Sequence, residues 1–264
     1  MNQLTTFSGI KGLYRYGNGI NSYDVAKFLA ILFMVIDHLG MFIFMDQTYL
    51  RGLGRVAFPI FFFLIGYSQD SKTSWNLLII GVVLSLYKGL LIGVWFPFDI
   101  LITAFLSKLV LRLVVKRDML TDGQLFVSYA VLIIWHIGVL LIFSYGTLGV
   151  MFAICGHLKR NENEGKPHKY LNIFILITVV SDYLLQRIMW YETEGFKYIF
   201  TGVSIFLIYY FMNFSMRNFA EIKNKIVVNT VLFFSRNSLF IYWLHYVIFL
   251  TASVLLYPDK YVFF

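Results

Sequence analysis

Cysteine is almost missing from this chain of 264 residues, with Cys155 as its one example. A single thiol excludes an internal disulfide and any zinc or iron–sulfur cage built from cysteines. Charged residues are also scarce, at 14% against 59% apolar residues. Soluble domains carry about 25% charged residues, so this composition excludes an ordinary soluble domain. The 28 Phe and 18 Tyr instead indicate a protein whose main solvent is lipid.

Long apolar stretches separated by polar turns predict a single all-α domain over residues 1–264, a polytopic membrane helix bundle. A bilayer core of about 30 Å needs about 20 helical residues. Nine stretches fit: Asp24 to Met45, Leu53 to Tyr67, Trp75 to Trp95, Phe98 to Val115, Gln124 to Phe143, Thr147 to Leu158, Leu171 to Trp190, Lys197 to Phe214 and Ile226 to Tyr257. The second and sixth are short, which predicts unusual tilt or packing inside the bundle.

The last stretch is too long for one crossing, and the polar cluster Ser235 to Ser238 interrupts it. We therefore expect Ile226 to Phe234 to be a short interfacial or re-entrant piece. If it crosses fully, the count rises from nine spans to ten. Most of the 22 Lys and Arg fall in alternate loops, which predicts a cytoplasmic N-terminus and residues 1–22 as a cytoplasmic segment without a cleavable signal peptide. The net charge of +8 is spread over these loops, so no nucleic-acid partner is expected.

Ionisable residues inside the spans are the candidates for function, because a charge facing lipid costs roughly 2.5 to 3.5 kcal/mol at mid-span. In the first span, Lys27 and His38 are 11 residues apart, about 20° beyond three full turns, so they share a helix face about 16 Å apart. A ligand with phosphates at one end and a reactive group on a long arm would match them. Asp37 adjoins His38, but neighbouring helix residues point about 100° apart, so a direct pair is not expected.

Two further segments place polar residues near this face. Arg55 follows His38 across a short loop at a similar depth, where a guanidinium can hold an oxyanion or an acidic group. The closing sequence SRNSLFIYWLH places Arg236 at the cytoplasmic edge, where it and Lys27 would be two cations suited to phosphates. His245 is expected one to two turns further inside.

At these residues the sequence resembles the TraX family of bacterial membrane proteins, which is named for the acetylation of conjugative pilin. The resemblance rests on SYDVAKFLAILFMVIDHLG, GRVAFPIFFFLIGYS and SRNSLFIYWLH. TraX-like proteins in turn are similar to the acyltransferase-3 and heparan N-acetyltransferase groups. In the acyltransferase-3 pattern a basic residue precedes a histidine by 11 positions; here Lys27, in place of the usual Arg, and His38 fill these places. The resemblance implies a multi-pass protein of the bacterial inner membrane that uses acetyl-CoA from the cytoplasm.

The predicted function is therefore an acyltransferase, with an N-acetyltransferase favoured. His38 is the predicted base, Asp37 its electrostatic support and Arg55 the group that stabilises the oxyanion. The predicted donor site consists of Lys27, Arg236, Asn237 and His245. Acetyl-CoA is expected as the donor, with no metal, and the acceptor is expected to be a peptide or pilin N-terminus or, as an alternative, a glycan. Membrane lipid is the other expected partner.

Three alternatives remain open at this point. A transporter or channel would use Lys88, His136 and Asp182 as a polar path. A haem protein would use His38, His136 or His245 as axial ligands. A purely structural assembly factor is the last.

Overall fold

The computed structural model describes residues 19–45, 47–68, 74–115, 122–189, 194–219, 222 and 224–260. This part of the chain is helical and contains no β-strand beyond two isolated bridges. The helices are α1 Ser22–His38, α2 Thr48–Gly54, α3 Ala57–Tyr67, α4 Trp75–Ile92, α5 Ile100–Val110, α6 Asp122–Ile134, α7 His136–Leu140, α8 Leu148–Asn163, α9 Leu171–Met189, α10 Glu194–Asn213, α11 Lys225–Arg236 and α12 Ser238–Leu256. Short π-helices at Leu39–Ile43 and Leu111–Val115 continue α1 and α5, and a 3₁₀ turn at Pro258–Lys260 follows α12.

Six helical segments within the described ranges are long and apolar enough to cross a membrane. They are Ser22–Ile43, Thr48–Tyr67, Trp75–Ile92, Leu171–Ile188, Gly195–Asn213 and Ser238–Leu256. Their lengths of 18 to 22 residues match the thickness of a bilayer core. The prediction of an all-α, multi-pass membrane protein is confirmed. The predicted stretches from Phe98, Gln124 and Thr147 form the shorter helices α5, α6 with α7, and α8. Residues 1–18 of the predicted cytoplasmic segment, and Trp190, lie outside the described residues.

The start of α1 is fixed by a cap and by a second helix. Asn21 Oδ1 accepts a hydrogen bond from the Asp24 backbone N–H at 2.9 Å, which satisfies a donor that has no partner within the helix. α11 packs across this end, where Ser235 Oγ donates to Asp24 Oδ1 at 2.9 Å. α11 ends at Arg236 and α12 begins at Ser238. The predicted break in the last apolar stretch is confirmed.

The second span is longer than its hydropathy indicated. It begins at Thr48, five residues before the predicted start, and runs through α2 and α3. Polar Thr48 and Arg51 made the first turns resemble a loop, yet Arg51 is only 5% exposed because α2 packs against α1. Pro59 has no N–H to bond the carbonyl of Arg55, four residues earlier. The chain accordingly turns between α2 and α3.

α8 is the central helix, packed mainly against α3. The predicted short stretch inside the bundle is confirmed, although the helix continues past Leu158 to Asn163. Glycines make the close contact possible. A Cβ on Gly66 would lie 1.7 Å from the Ala153 carbonyl oxygen, and one on Gly156 would lie 1.9 Å from the Phe63 carbonyl oxygen. Small residues permit such approaches in membrane helices, where packing rather than the hydrophobic effect holds helices together.

Two non-helical segments, 93–99 and 141–147, meet at the opposite end of the bundle from the start of α1. The Phe98 backbone N–H donates to the Ile142 carbonyl at 2.7 Å, and the Ser144 N–H donates to the Phe98 carbonyl at 3.2 Å. The Thr103 hydroxyl donates to the Ser144 carbonyl at 2.8 Å. Irregular backbone at membrane depth must be satisfied inside the protein or line a cavity. The two segments satisfy part of their backbone by hydrogen bonds to each other, and both line the cavity described in the next section.

Candidate active site

A cavity of about 930 Å³ lies inside the bundle, bordered by α1 to α5, α12 and the segment 141–147. This volume lies at the upper end of the range for small-molecule and cofactor sites. The described wall carries five basic side chains, Lys27, Arg51, Arg55, Lys88 and Lys108, against two carboxylates, Asp37 and Asp99. The excess of positive charge favours a ligand that carries negative charge.

His38 lies on the wall of this cavity and contacts a second histidine. His38 Nδ1 is 2.6 Å from His245 Nε2, and the ring centroids are 4.8 Å apart with an interplanar angle of 28°. His245 is 8% exposed, and its Nδ1 is 2.5 Å from the Ile241 carbonyl oxygen. The rings of Phe42 and Tyr246 lie 5.8 and 5.5 Å from the His38 ring. One ring nitrogen of His38 is therefore hydrogen-bonded to His245, and aromatic rings lie around the His38 ring.

Asp37 faces two arginines instead of His38. Its Oδ2 accepts a hydrogen bond from Arg51 Nη1 at 2.8 Å, and its Oδ1 is 3.9 Å from Arg55 Nε. All three residues are at most 8% exposed. α2 approaches α1 so closely here that a Cβ on Gly54 would lie 2.4 Å from Asp37 Cβ. Asp37 thus pairs with arginines of the second span, in agreement with the expectation that it does not pair directly with His38.

Tyr145 supports Arg55 from the segment 141–147. Arg55 Nη1 donates to the Tyr145 hydroxyl at 2.5 Å, and the Tyr145 ring stacks on Phe58 with centroids 3.8 Å apart. Tyr145 has a φ of 63°, a left-handed conformation that bulky residues rarely adopt. Such strain persists only where the surroundings over-determine it, and it clusters at functional sites.

Asp99 holds a tyrosine beside His38. The Tyr242 hydroxyl donates to Asp99 Oδ2 at 2.8 Å, while Asp99 Oδ1 caps α5 by accepting from the Leu101 N–H at 2.9 Å. Asp99 is 7% exposed, and the Tyr242 and His38 ring centroids are 5.8 Å apart. The Asp99 carboxylate therefore caps the start of α5 and holds the Tyr242 ring beside His38.

Two lysines stand on the cavity wall away from His38. Lys27, at the beginning of α1, and Lys108, at the end of α5, both line the cavity. The 11 residues between Lys27 and His38 correspond to about 16 Å of helix. The structure therefore places the two lysines and His38 on the wall of one cavity, while His245 contacts His38 without lining the cavity.

Several predicted residues lie elsewhere. Arg236 and Asn237 are exposed and do not line the cavity, and the Asn237 side chain donates to the Phe233 carbonyl at 2.8 Å. Their contact with a donor nucleotide stays a prediction. His245, which we grouped with them, lies against His38.

The residues of the transport alternative are divided. Lys88 and His136 line the cavity; Lys88 Nζ donates to the Pro97 carbonyl at 2.6 Å, and His136 Nδ1 is 3.0 Å from Thr147 Oγ1. Asp182 is buried, and its Oδ1 accepts from the Gln186 side chain at 3.4 Å.

Sequence reasoning missed Arg51, Asp99, Lys108, Tyr145 and Tyr242. A signal existed for Asp99, an acid inside a predicted span. Arg51 was assigned to a loop, Lys108 was counted among the cytoplasmic basic residues at the end of the stretch Phe98 to Val115, and the two tyrosines are indistinguishable in sequence from the other 16 of 18.

The fold and the cavity with its ionisable side chains define a polytopic membrane protein with a polar site inside the helix bundle. The model of the TraX protein family matches residues 22–181, which include α1 to α8, and the chain belongs to this family. It is also 29% identical over 234 residues to an uncharacterized protein of Rickettsia prowazekii (strain Madrid E), with 88% of this chain and 92% of that protein covered. No solved structure matches the chain.

Proposed function

We propose that this chain is an acyltransferase of the bacterial inner membrane that moves an acetyl group from cytoplasmic acetyl-CoA to an amine or hydroxyl acceptor. The observation that carries the proposal is one cavity whose wall contains His38, hydrogen-bonded to His245, and, about 16 Å along α1, Lys27 with Lys108. Membership of the TraX family, named for pilin acetylation, supports the proposal.

The lysine end of the cavity is the proposed donor site. Lys27 and Lys108 would bind phosphate oxygens of CoA, because ammonium groups at a protein mouth attract phosphates and donate several hydrogen bonds. The pantetheine arm would then extend along α1 toward His38. With the predicted orientation of α1, the lysine end faces the cytoplasm, where acetyl-CoA is made.

His38 is the proposed general base. It takes a proton from the acceptor amine or hydroxyl as the acceptor attacks the thioester carbonyl, and the new C–N or C–O bond forms. The C–S bond then breaks, and the CoA sulfur receives the proton that His38 had taken. CoA leaves as the free thiol. Positioned histidines contribute about 10² to 10⁴ to the rates of such reactions.

The Asp37, Arg51 and Arg55 cluster is the proposed site for the developing negative charge. The Arg55 guanidinium is held by Tyr145 and faces Asp37, so its direction is set before the reaction begins. Preorganised donors in a site shielded from water stabilise an oxyanion without reorganising. The acceptor would enter from the part of the cavity away from the lysines, and a peptide or pilin N-terminus is the first acceptor to test, followed by a glycan amine or hydroxyl.

Transport is the second candidate, because Lys88 and His136 line the same cavity. A transporter would move a solute into proteoliposomes without CoA. An acyltransferase releases one free thiol for each acetylated acceptor.

The test uses purified protein in nanodiscs with acetyl-CoA and candidate acceptors, and follows thiol release and product mass. His38→Ala should reduce turnover by at least 100-fold while the protein remains monodisperse in detergent. His168→Ala is the matched control, because His168 is a histidine on a different part of the chain, outside the cavity lining. Full turnover in His38→Ala would refute the role of His38. Solute flux without thiol release would favour the transporter.

A further inference from the structure

His245 belongs to α12, 207 positions from His38 in sequence, and its two hydrogen bonds determine where protons sit. The Ile241 carbonyl oxygen can only accept a hydrogen bond. The His245 nitrogen 2.5 Å from it, Nδ1, must therefore carry a proton. In a neutral imidazole the other nitrogen is then an acceptor, so His245 Nε2 presents a lone pair to His38.

The protonation of His38 follows from this lone pair. Because His245 Nε2 accepts, His38 Nδ1, 2.6 Å away, must be the donor and must carry a proton. A neutral His38 then has its own lone pair on Nε2. A doubly protonated His245 would reverse the bond, but it would add another cation next to a cavity wall whose described part already has five basic side chains against two carboxylates.

We infer that His245 is a positioning residue that holds His38 as the Nδ1–H tautomer and makes His38 Nε2 the nitrogen that takes the acceptor's proton. The inference rests on the proposed function. The hydrogen bond on one ring nitrogen of a histidine selects which nitrogen of the ring is free to react. Here a backbone carbonyl on α12 sets the tautomer of His245, and His245 in turn sets that of His38. Without His245 as an acceptor, nothing in this chain of bonds keeps the proton of His38 on Nδ1.

Two variants of His245 separate tautomer control from packing. His245→Phe keeps a planar ring and removes the acceptor, whereas His245→Gln keeps an acceptor oxygen that can reach the position of Nε2. Phe249→Leu is the packing control, because the Phe249 ring contacts His245 at 5.6 Å between centroids without lining the cavity. We expect His245→Phe to lower kcat about 10²- to 10⁴-fold, a range typical of a general base in the wrong tautomer. His245→Gln should recover at least tenfold of this loss, and Phe249→Leu should stay within about threefold of wild type.

The decisive readout is the ¹⁵N spectrum of histidine-labelled protein in lipid, with the His38 signals assigned from their loss in His38→Asn. Wild type should show a protonated Nδ1 and an unprotonated Nε2 at His38, and His245→Phe should change this pattern. A protonated Nε2 on wild-type His38, an unchanged pattern in His245→Phe, or full kcat in His245→Phe would each overturn the inference. Wild-type protein that releases no thiol with any acceptor would refute the proposed function instead, and the spectrum would still decide the tautomer.

Discussion

Removing the Asp37 carboxylate should destabilise the protein strongly, because two arginines depend on it. Asp37 lies 2.8 Å from Arg51 and 3.9 Å from Arg55, with all three residues buried. At an effective dielectric constant of about 20, these distances give attractions of about 6 and about 4 kcal/mol. The cost of desolvating the charges offsets part of this attraction. Breaking a buried pair by removing one partner typically costs about 3 to 5 kcal/mol, and we expect Asp37→Ala to lower the free energy of unfolding by that amount.

Reversible unfolding in mixed micelles with increasing SDS fraction, followed by tryptophan fluorescence, measures this loss. Asp259→Asn is the control, since Asp259 is an exposed acid near the C-terminus and its change should stay within about 0.5 kcal/mol. The double variant Asp37→Ala with Arg51→Met should be less destabilised than the sum of the single variants, by about 1 to 3 kcal/mol. A loss below about 1 kcal/mol in Asp37→Ala, or strict additivity in the double variant, would refute the buried ion cluster.

Two further predictions concern the helix contact and the donor site. Gly66→Ala should destabilise the protein by about 1 to 3 kcal/mol through overpacking against Ala153. Gly202→Ala, with no atom near its Cβ position, should be neutral or stabilising in the same SDS titration. Equal effects of the two substitutions would contradict the close contact between α3 and α8. Lys27→Gln and Lys108→Gln should each raise the KM for acetyl-CoA about tenfold, corresponding to about 1.4 kcal/mol, and leave kinetics with S-acetylpantetheine, which lacks the nucleotide phosphates, unchanged. An equal rise in KM for both donors would contradict phosphate binding.

Most of the membrane architecture follows from the sequence, because a helix that faces lipid must be apolar along its whole length. Nine or ten spans were predicted for this reason, and the six segments of the described residues that are long and apolar enough to cross a membrane all overlap predicted stretches. The start of α2 was missed because Arg51 has its partner, Asp37, on another helix, and hydropathy cannot register a charge that is neutralised across a helix interface. The full length of α8 was missed similarly, since its polar continuation begins with Lys159, which is only 6% exposed and donates to the Met212 carbonyl oxygen at 2.6 Å.

The candidate site was predictable along one helix and not between helices. Lys27 and His38 were identified because helical periodicity determines which residues of α1 share a face. The same periodicity separated Asp37 from His38, which the structure confirms. The neighbours that each residue meets across an interface depend on the order in which helices pack, and hydropathy contains no information on that order. His245 was therefore grouped with Arg236 in the donor site, one to two turns further inside, although its ring contacts His38.

The packing of α3 against α8 has a consequence for biosynthesis. Gly66 and Gly156 are 90 residues apart, so at about 5 to 20 residues per second the ribosome needs about 4 to 18 seconds to deliver the second after the first. During that interval the face of α3 around Gly66 lacks its partner helix α8 and must contact lipid or another protein segment. Transfer of α8 from the translocon into lipid is unfavourable, because the helix contains Lys159 and Asn161. α8 is not among the described helices long and apolar enough to cross a membrane alone, so we expect it to take its place only by packing against α3.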